Sequence, residues 1–231
     1  RHVTRLGFVT GLKAESKLIA RAARRAGIVA PAVTCAGANA ARAQETAGRL
    51  LGDGAQALVS FGLCGGLDPA LRPGHLILAD AVLDRAGTRY ATDTDLRARC
   101  FVALRDASLS PVVGPILGAD QAAANTRQKA SLFTATRAVA VDMESHGVAK
   151  AAAAAGVPFL VMRAVADPAG RDIPQAALIA LTPEGGVRIG AAIAALLRRP
   201  WDLAGMLRLA GDARAGMRTL DRAAPVLLGG G

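Results

Sequence analysis

The chain has 231 residues, of which 52% are hydrophobic but only 3% aromatic, and it carries a formal charge of +10. This length suits one large domain with a core of Ala, Val, Leu and Ile, and no apolar run approaches the ~18–20 residues of a membrane-spanning helix. The 28 basic residues are nearly all arginine, scattered without interleaved aromatics. Charge alone therefore selects neither nucleic acid nor an anionic membrane, and a GC-rich genome gives the same excess of arginine.

In chain order, the opening residues do not resemble a signal peptide and lead straight into a strand, Leu6–Thr10, closed by Gly11. Lys13–Arg25 follows as a helix with Ala14, Leu18, Ile19 and Ala22 on one face. Glu15, in its first turn, either complements the helix dipole or is an acid held at the mouth of the first strand. Residues 28–35 read as a second strand, 40–51 as a helix and 56–61 as a third strand. The turn between the first two of these, Ala36 to Asn39, lacks the spacing of a dinucleotide fingerprint. Behind the third strand, residues 62–66 (GLCGG) read as a glycine-rich turn that lets a ligand approach the backbone. Further strands are expected at 75–83 and Val112–Gly118, with helices at 96–104, 126–133 and 187–197. Residues 201–224 read as a basic amphipathic helix, with Leu203, Met206, Leu207, Ala210, Ala213, Met217 and Leu220 on one face. Its default role is packing on its own domain or a second subunit; Trp201 behind Arg198 and Arg199 offers a membrane anchor instead. Three separated cysteines, Cys35, Cys64 and Cys100, have no metal-ligand spacing and fit a reducing cytoplasm.

The most informative stretch runs from Val141 to Gly170. The apolar runs 138–141 and 157–165 each end in charge: Asp142, Met143 and Glu144 after the first, Arg163 and Asp167 at the close of the second. Between them lies an alanine-rich helix former with Gly156 as its C-cap. This predicts a strand, a crossover helix and a second strand that bring Glu144, Arg163 and Asp167 to one end of a parallel sheet. The bland alternative is a helix cap and a surface ion pair.

Four segments then occur in order: the strand running into VTGLKAE, the run FGLCGGLDPALRPG, VDMES and VMRAVADPA. Together they resemble the superfamily of purine nucleoside phosphorylases and methylthioadenosine/adenosylhomocysteine nucleosidases, over roughly residues 5–170. Within it the likeness is to the hopanoid-associated phosphorylase group, which removes adenine from adenosylhopane. The resemblance implies an α/β fold with a mixed central sheet flanked by helices: a single domain over 1–231, with a core to about 182 and a helical C-terminal annex from about 183. It also implies roles. Asp167 donates a proton toward N7 of the purine, Glu144 grips the ribose hydroxyls, Met143 packs beneath the sugar and Arg163 orients Glu144. Glu15 activates the attacking water, and Gly62, Gly65 and Gly66 line the ribose and nucleophile region.

Departures from the family pattern are informative. Leu63 stands where a serine that contacts ribose or phosphate is common, which weakens a phosphate site, and Ala166 replaces the serine that commonly precedes the acid. Ala122 lies near the place of the purine-stacking aromatic, which implies a roomier pocket suited to a bulky 5′ group. The expected substrate is a small purine nucleoside, adenosylhopane first, with methylthioadenosine or adenosylhomocysteine as alternative. Water or phosphate is the acceptor. No metal or organic cofactor and no nucleic-acid partner are implied. A homo-oligomer is expected, in the cytoplasm or peripheral to the inner membrane face through the C-terminal helix. Two rival readings stand beside this one. Residues 62–66 also satisfy the G-x-C-x-G of a nucleophile elbow, with Cys64 as nucleophile of a thiol hydrolase or amidotransferase and His146 as base. The other rival is a non-catalytic nucleoside-binding module.

Overall fold

The computed structural model describes residues 5–28, 31–180, 182 and 188–229. The first four residues, residues 29–30 of the second expected strand, residue 187 of an expected helix and residue 183, where the annex was expected to begin, lie outside them.

Eight strands form one mixed sheet: β1 (Leu6–Thr10), β2 (Ala32–Cys35), β3 (Ala57–Gly66), β4 (Leu76–Leu83), β5 (Arg89–Ala91), β6 (Val112–Gly118), β7 (Ala140–Asp142) and β8 (Phe159–Asp167). The helices are α1 (Lys13–Arg25), α2 (Ala40–Gly52), α3 (Thr94–Asp106), α4 (Thr126–Thr136), α5 (Ser145–Ala155), α6 (Gln175–Ala180), α7 (Ile189–Arg198) and α8 (Leu203–Gly229). Asn39, Asp93 and Asn125 cap α2, α3 and α4 by accepting a backbone N–H in the first turn. Gly156 ends α5 in the left-handed conformation, the C-cap expected of it.

The pairings close a ring. β3 runs parallel to β8, β8 antiparallel to β4, β4 parallel to β6, β6 parallel to β7, and β7 antiparallel to β3. β1 and β2 extend the ring from the outer edge of β3, and β5 returns as a hairpin on β4. Successive strand residues point to opposite faces, and the core divides accordingly. Leu58, Ile77 and Val161 pack with α2 and α5, whereas Val59, Leu78 and Met162 pack with α1, α3 and the end of α8. Small side chains set the first layer. Gly147 on α5 lies against the backbone of Ala40 in α2, where a Cβ would collide with the Ala40 carbonyl. A core poor in aromatics is dense here because alanine-rich helices approach closely.

Two expectations are corrected. β7 and β8 do not form a parallel pair: they flank β3 on opposite sides and run in opposite directions. Residues 62–66 are not a turn but the continuation of β3, paired to β8 through Gly65 and to β7 at Gly65 and Gly66, with a bulge after Cys64. Partners on both sides satisfy the backbone of a glycine run that propensity alone assigns to a loop.

The C-terminal helix is longer than expected and unbroken by Gly205, Gly211 or Gly216. Its buried face is Gly216, Leu220, Ala223, Ala224 and Leu227, whereas Leu203, Leu207 and Ala210 of the expected apolar face are exposed. Gly216 explains the difference. It lets α8 lie so close to β3 and β8 that a Cβ would come 2.6 Å from the Leu63 side chain and 3.2 Å from the Val165 carbonyl. The second half of α8 is thus part of the core.

Candidate active site

The ends of β1, β3, β7 and β8 meet at one corner. Arg163, fully buried on β8, pairs with Asp142 (Nη2–Oδ2 2.5 Å) and with Glu144 (Nη1–Oε2 3.1 Å). It also donates to Ser60 Oγ (2.6 Å), Ser145 Oγ (3.3 Å) and the Leu63 carbonyl (3.3 Å). Ser145 in turn hydrogen-bonds Asp142 through both Oγ (2.5 Å) and N–H (3.1 Å), which fixes the start of α5 behind Glu144. Burial works against the Arg163 charge, but Asp142, Glu144 and Glu15 hold its proton more firmly than usual.

Glu15 unites the two roles open to it in the sequence. Its Oε2 accepts from the N–H groups of Gly11 (2.9 Å) and Leu12 (2.8 Å), capping α1, while Oε1 accepts from Leu63 N–H (2.8 Å) in β3. Burial pushes its pKa up, against Arg163 and these three donors. Glu144 is raised too, to about 8, because burial and the neighbouring Asp142 and Glu15 outweigh its share of Arg163. One guanidinium serves three carboxylates. Glycine is required where they converge: a Cβ at Gly11 would stand 2.6 Å from Glu144 Oε1, and one at Gly62 would stand 2.6 Å from Glu15 Oε2 and 2.8 Å from Arg163 Nη1.

A cavity of ≈ 180 Å³ opens above this corner, walled by Gly65, Ala122, Met143, Glu144 and Asp167 among others. Glu15, Arg163 and Gly62 stand one layer behind it, joined to the wall through Leu63 and Glu144, and Gly66 packs against Val165 and Pro168. Asp167 and Glu144 thus line the same cavity. Its pKa is raised by burial, against the pull of Lys129, whose Nζ lies 2.7 Å from Oδ2.

Four contributors carried no assigned role in the sequence reading. Asp142 ended a predicted strand and was within reach of that reasoning. Ser60 and Ser145 left no signal. Lys129 left a faint one, as one of four lysines in an arginine-rich chain. The elbow reading fails on geometry: Cys64 lies mid-strand, buried, with its thiol pushed well above the ordinary range by burial, and no helix follows it. His146, the base of that reading, is buried on α5 with Nε2 3.2 Å from Asp120.

Residues 21–199 match the Phosphorylase superfamily. The chain belongs to this superfamily. Among curated superfamily relatives, it is 29% identical over 136 residues to a 5′-methylthioadenosine/S-adenosylhomocysteine nucleosidase of Marinomonas sp. (51% of this chain, 59% of that protein). It is 33% identical over 154 residues to a futalosine hydrolase of Streptomyces coelicolor (60% of this chain, 61% of that protein). These matches span about three fifths of each relative. The superfamily fold extends further: an S-adenosylhomocysteine nucleosidase of Streptococcus pyogenes, solved with 5-methylthiotubericidin, superposes with a TM-score of 0.69 over 97% of this chain and 98% of that one, at 17% identity. The futalosine hydrolase of Helicobacter pylori gives 0.64 over 72% of this chain and 89% of that one, at 20% identity.

Proposed function

We propose that this chain hydrolyses the N-ribosidic bond of a purine nucleoside bearing an apolar 5′ substituent. The observation that carries the reading is two acidic groups in the wall of one cavity, Asp167 and Glu144, with a third, Glu15, behind the corner. Breaking the C1′–N9 bond leaves positive charge on the sugar and negative charge on the base. Asp167, its pKa raised by burial, gives its proton to N7, and Glu144 in its ionised form accepts from the ribose hydroxyls and offsets the sugar's charge above Met143. The water oxygen bonds to C1′ while its proton passes to Glu15. General acid help of this kind is worth roughly 10²–10⁴-fold.

Electrostatics favours water over phosphate. Arg163, the cation that the described residues bring to the nucleophile corner, already pairs with Asp142 and Glu144 through its two Nη atoms. A phosphate dianion would therefore meet no unpaired cation among the described residues of this corner, whereas water needs none. The reading invokes no metal and no organic cofactor.

For the 5′ side, adenosylhopane is the favoured substrate. Support comes from the hopanoid-group resemblance, from Ala122 in the cavity wall, and from the exposed apolar side chains Leu197, Trp201, Leu203 and Leu207 at the start of the C-terminal helical segment. Self-association and contact with a membrane surface belong to the same proposal. The test is adenine release from adenosylhopane, methylthioadenosine and adenosine, with Asp167→Asn beside the parent. Release from the lipid-linked nucleoside, lost in Asp167→Asn, is expected. Release from methylthioadenosine alone would keep the chemistry and remove the lipid substrate; release from none would remove both.

A further inference from the structure

Lys129 is fully buried on α4, and all three of its ammonium donors are met: Asp167 Oδ2 at 2.7 Å, the Pro168 carbonyl at 3.0 Å and the Arg171 carbonyl at 2.9 Å. Enclosing an ammonium costs several kcal/mol unless each donor is satisfied, so chain packing alone would favour an apolar residue here. Two of the three partners are backbone carbonyls of the segment that follows β8. They hold the ammonium in place whether or not Asp167 is ionised, as a proton-donating carboxyl requires. Gly65 completes the seat, since a Cβ there would lie 3.1 and 3.3 Å from the two Asp167 oxygens.

We propose that Lys129 is the positioning residue of the acid: it fixes the Asp167 carboxyl at the cavity and stabilises the carboxylate left when the proton moves to the base. This rests on the nucleoside-hydrolase reading. In the step, the Asp167 O–H bond breaks and an N–H bond forms on the purine. The electron pair stays on the carboxylate, opposite an ammonium that keeps its own protons. Other groups face Asp167 too. Asp212 on α8 opposes its ionisation but is paired with Arg171, and Asp172 and Arg208 line an adjoining cavity. Asp142 and Glu144 stand across the first cavity, and the Cys64 thiol on β3 is neutral. Lys129 is the cation in direct contact with Asp167.

The experiment is the pH profile of kcat/KM for adenine release by the parent, Lys129→Met and Lys129→Gln, the last of which can still bond the two carbonyls. Parent turnover comes first, because its absence would sink the hydrolase reading rather than the role of Lys129. Without the cation, the carboxyl holds its proton more tightly and is a weaker acid. The alkaline limb should then move to higher pH in both variants, with the plateau lowered by about 10- to 100-fold. A lowered plateau with an unmoved limb, or no change at all, overturns the proposal. The parent gives an independent reading through the ¹³Cγ resonance of Asp167. A carboxyl that loses its proton across the alkaline limb is expected; a carboxylate ionised throughout that limb contradicts the proposal even if neither variant folds.

Discussion

At the scale of residues, the corner is defined by too few cations for its carboxylates. Arg163 serves Asp142, Glu144 and Glu15, and burial leaves Glu144 with a pKa of about 8. Between the ordinary carboxylate range and about 8, the native state holds a proton that the unfolded chain has released. Stability therefore falls as pH rises through that window and levels off above it. Glu15 and Asp167, also raised, act in the same sense. Glu144→Gln removes one share of this dependence. Calorimetric Tm values between about pH 5 and pH 9 should fall less steeply in the variant than in the parent, and the variant should melt higher at the alkaline end, although it loses turnover. Equal slopes would mean that Glu144 is ionised in the native state throughout. The sequence made Glu144, Arg163 and Asp167 visible because each follows an apolar run. It hid Lys129 and Ser60, whose importance comes from contacts with residues distant in the chain, Asp167 and Arg163.

At the scale of elements, period-two and period-3.6 patterns made most strands and helices legible, down to Lys13–Arg25 and Val112–Gly118. What they did not reveal is who pairs with whom. The run 62–66 looks like a turn because glycine disfavours strands locally, yet β7 and β8 hold it extended from either side. The burial of α8 was misread for a related reason: its contact face follows Gly216, not the most apolar stripe. The consequence is measurable by denaturant melts. Leu220→Ala, in the packed half, should destabilise by about 2–4 kcal/mol. Leu203→Ala and Leu207→Ala, in the exposed half, should stay within about 0.5 kcal/mol of the parent. Comparable losses at all three positions would put the first half of α8 in a packed interface.

At the scale of the whole molecule, a closed ring of five strands carries the acids to one rim, and helices on both faces hold the ring rigid. In the proposed hydrolysis, preorganisation of this kind would let a few buried charges act on a developing oxocarbenium ion without reorganising. In the proposed reaction the same corner favours water as nucleophile, because its guanidinium is already paired with Asp142 and Glu144. The most direct test of this account is the fate of the sugar when a purine nucleoside is turned over in ¹⁸O water containing phosphate. The account predicts free sugar with one ¹⁸O at C1′ and a rate indifferent to phosphate. Sugar 1-phosphate, formed at a rate that rises with phosphate, would contradict it.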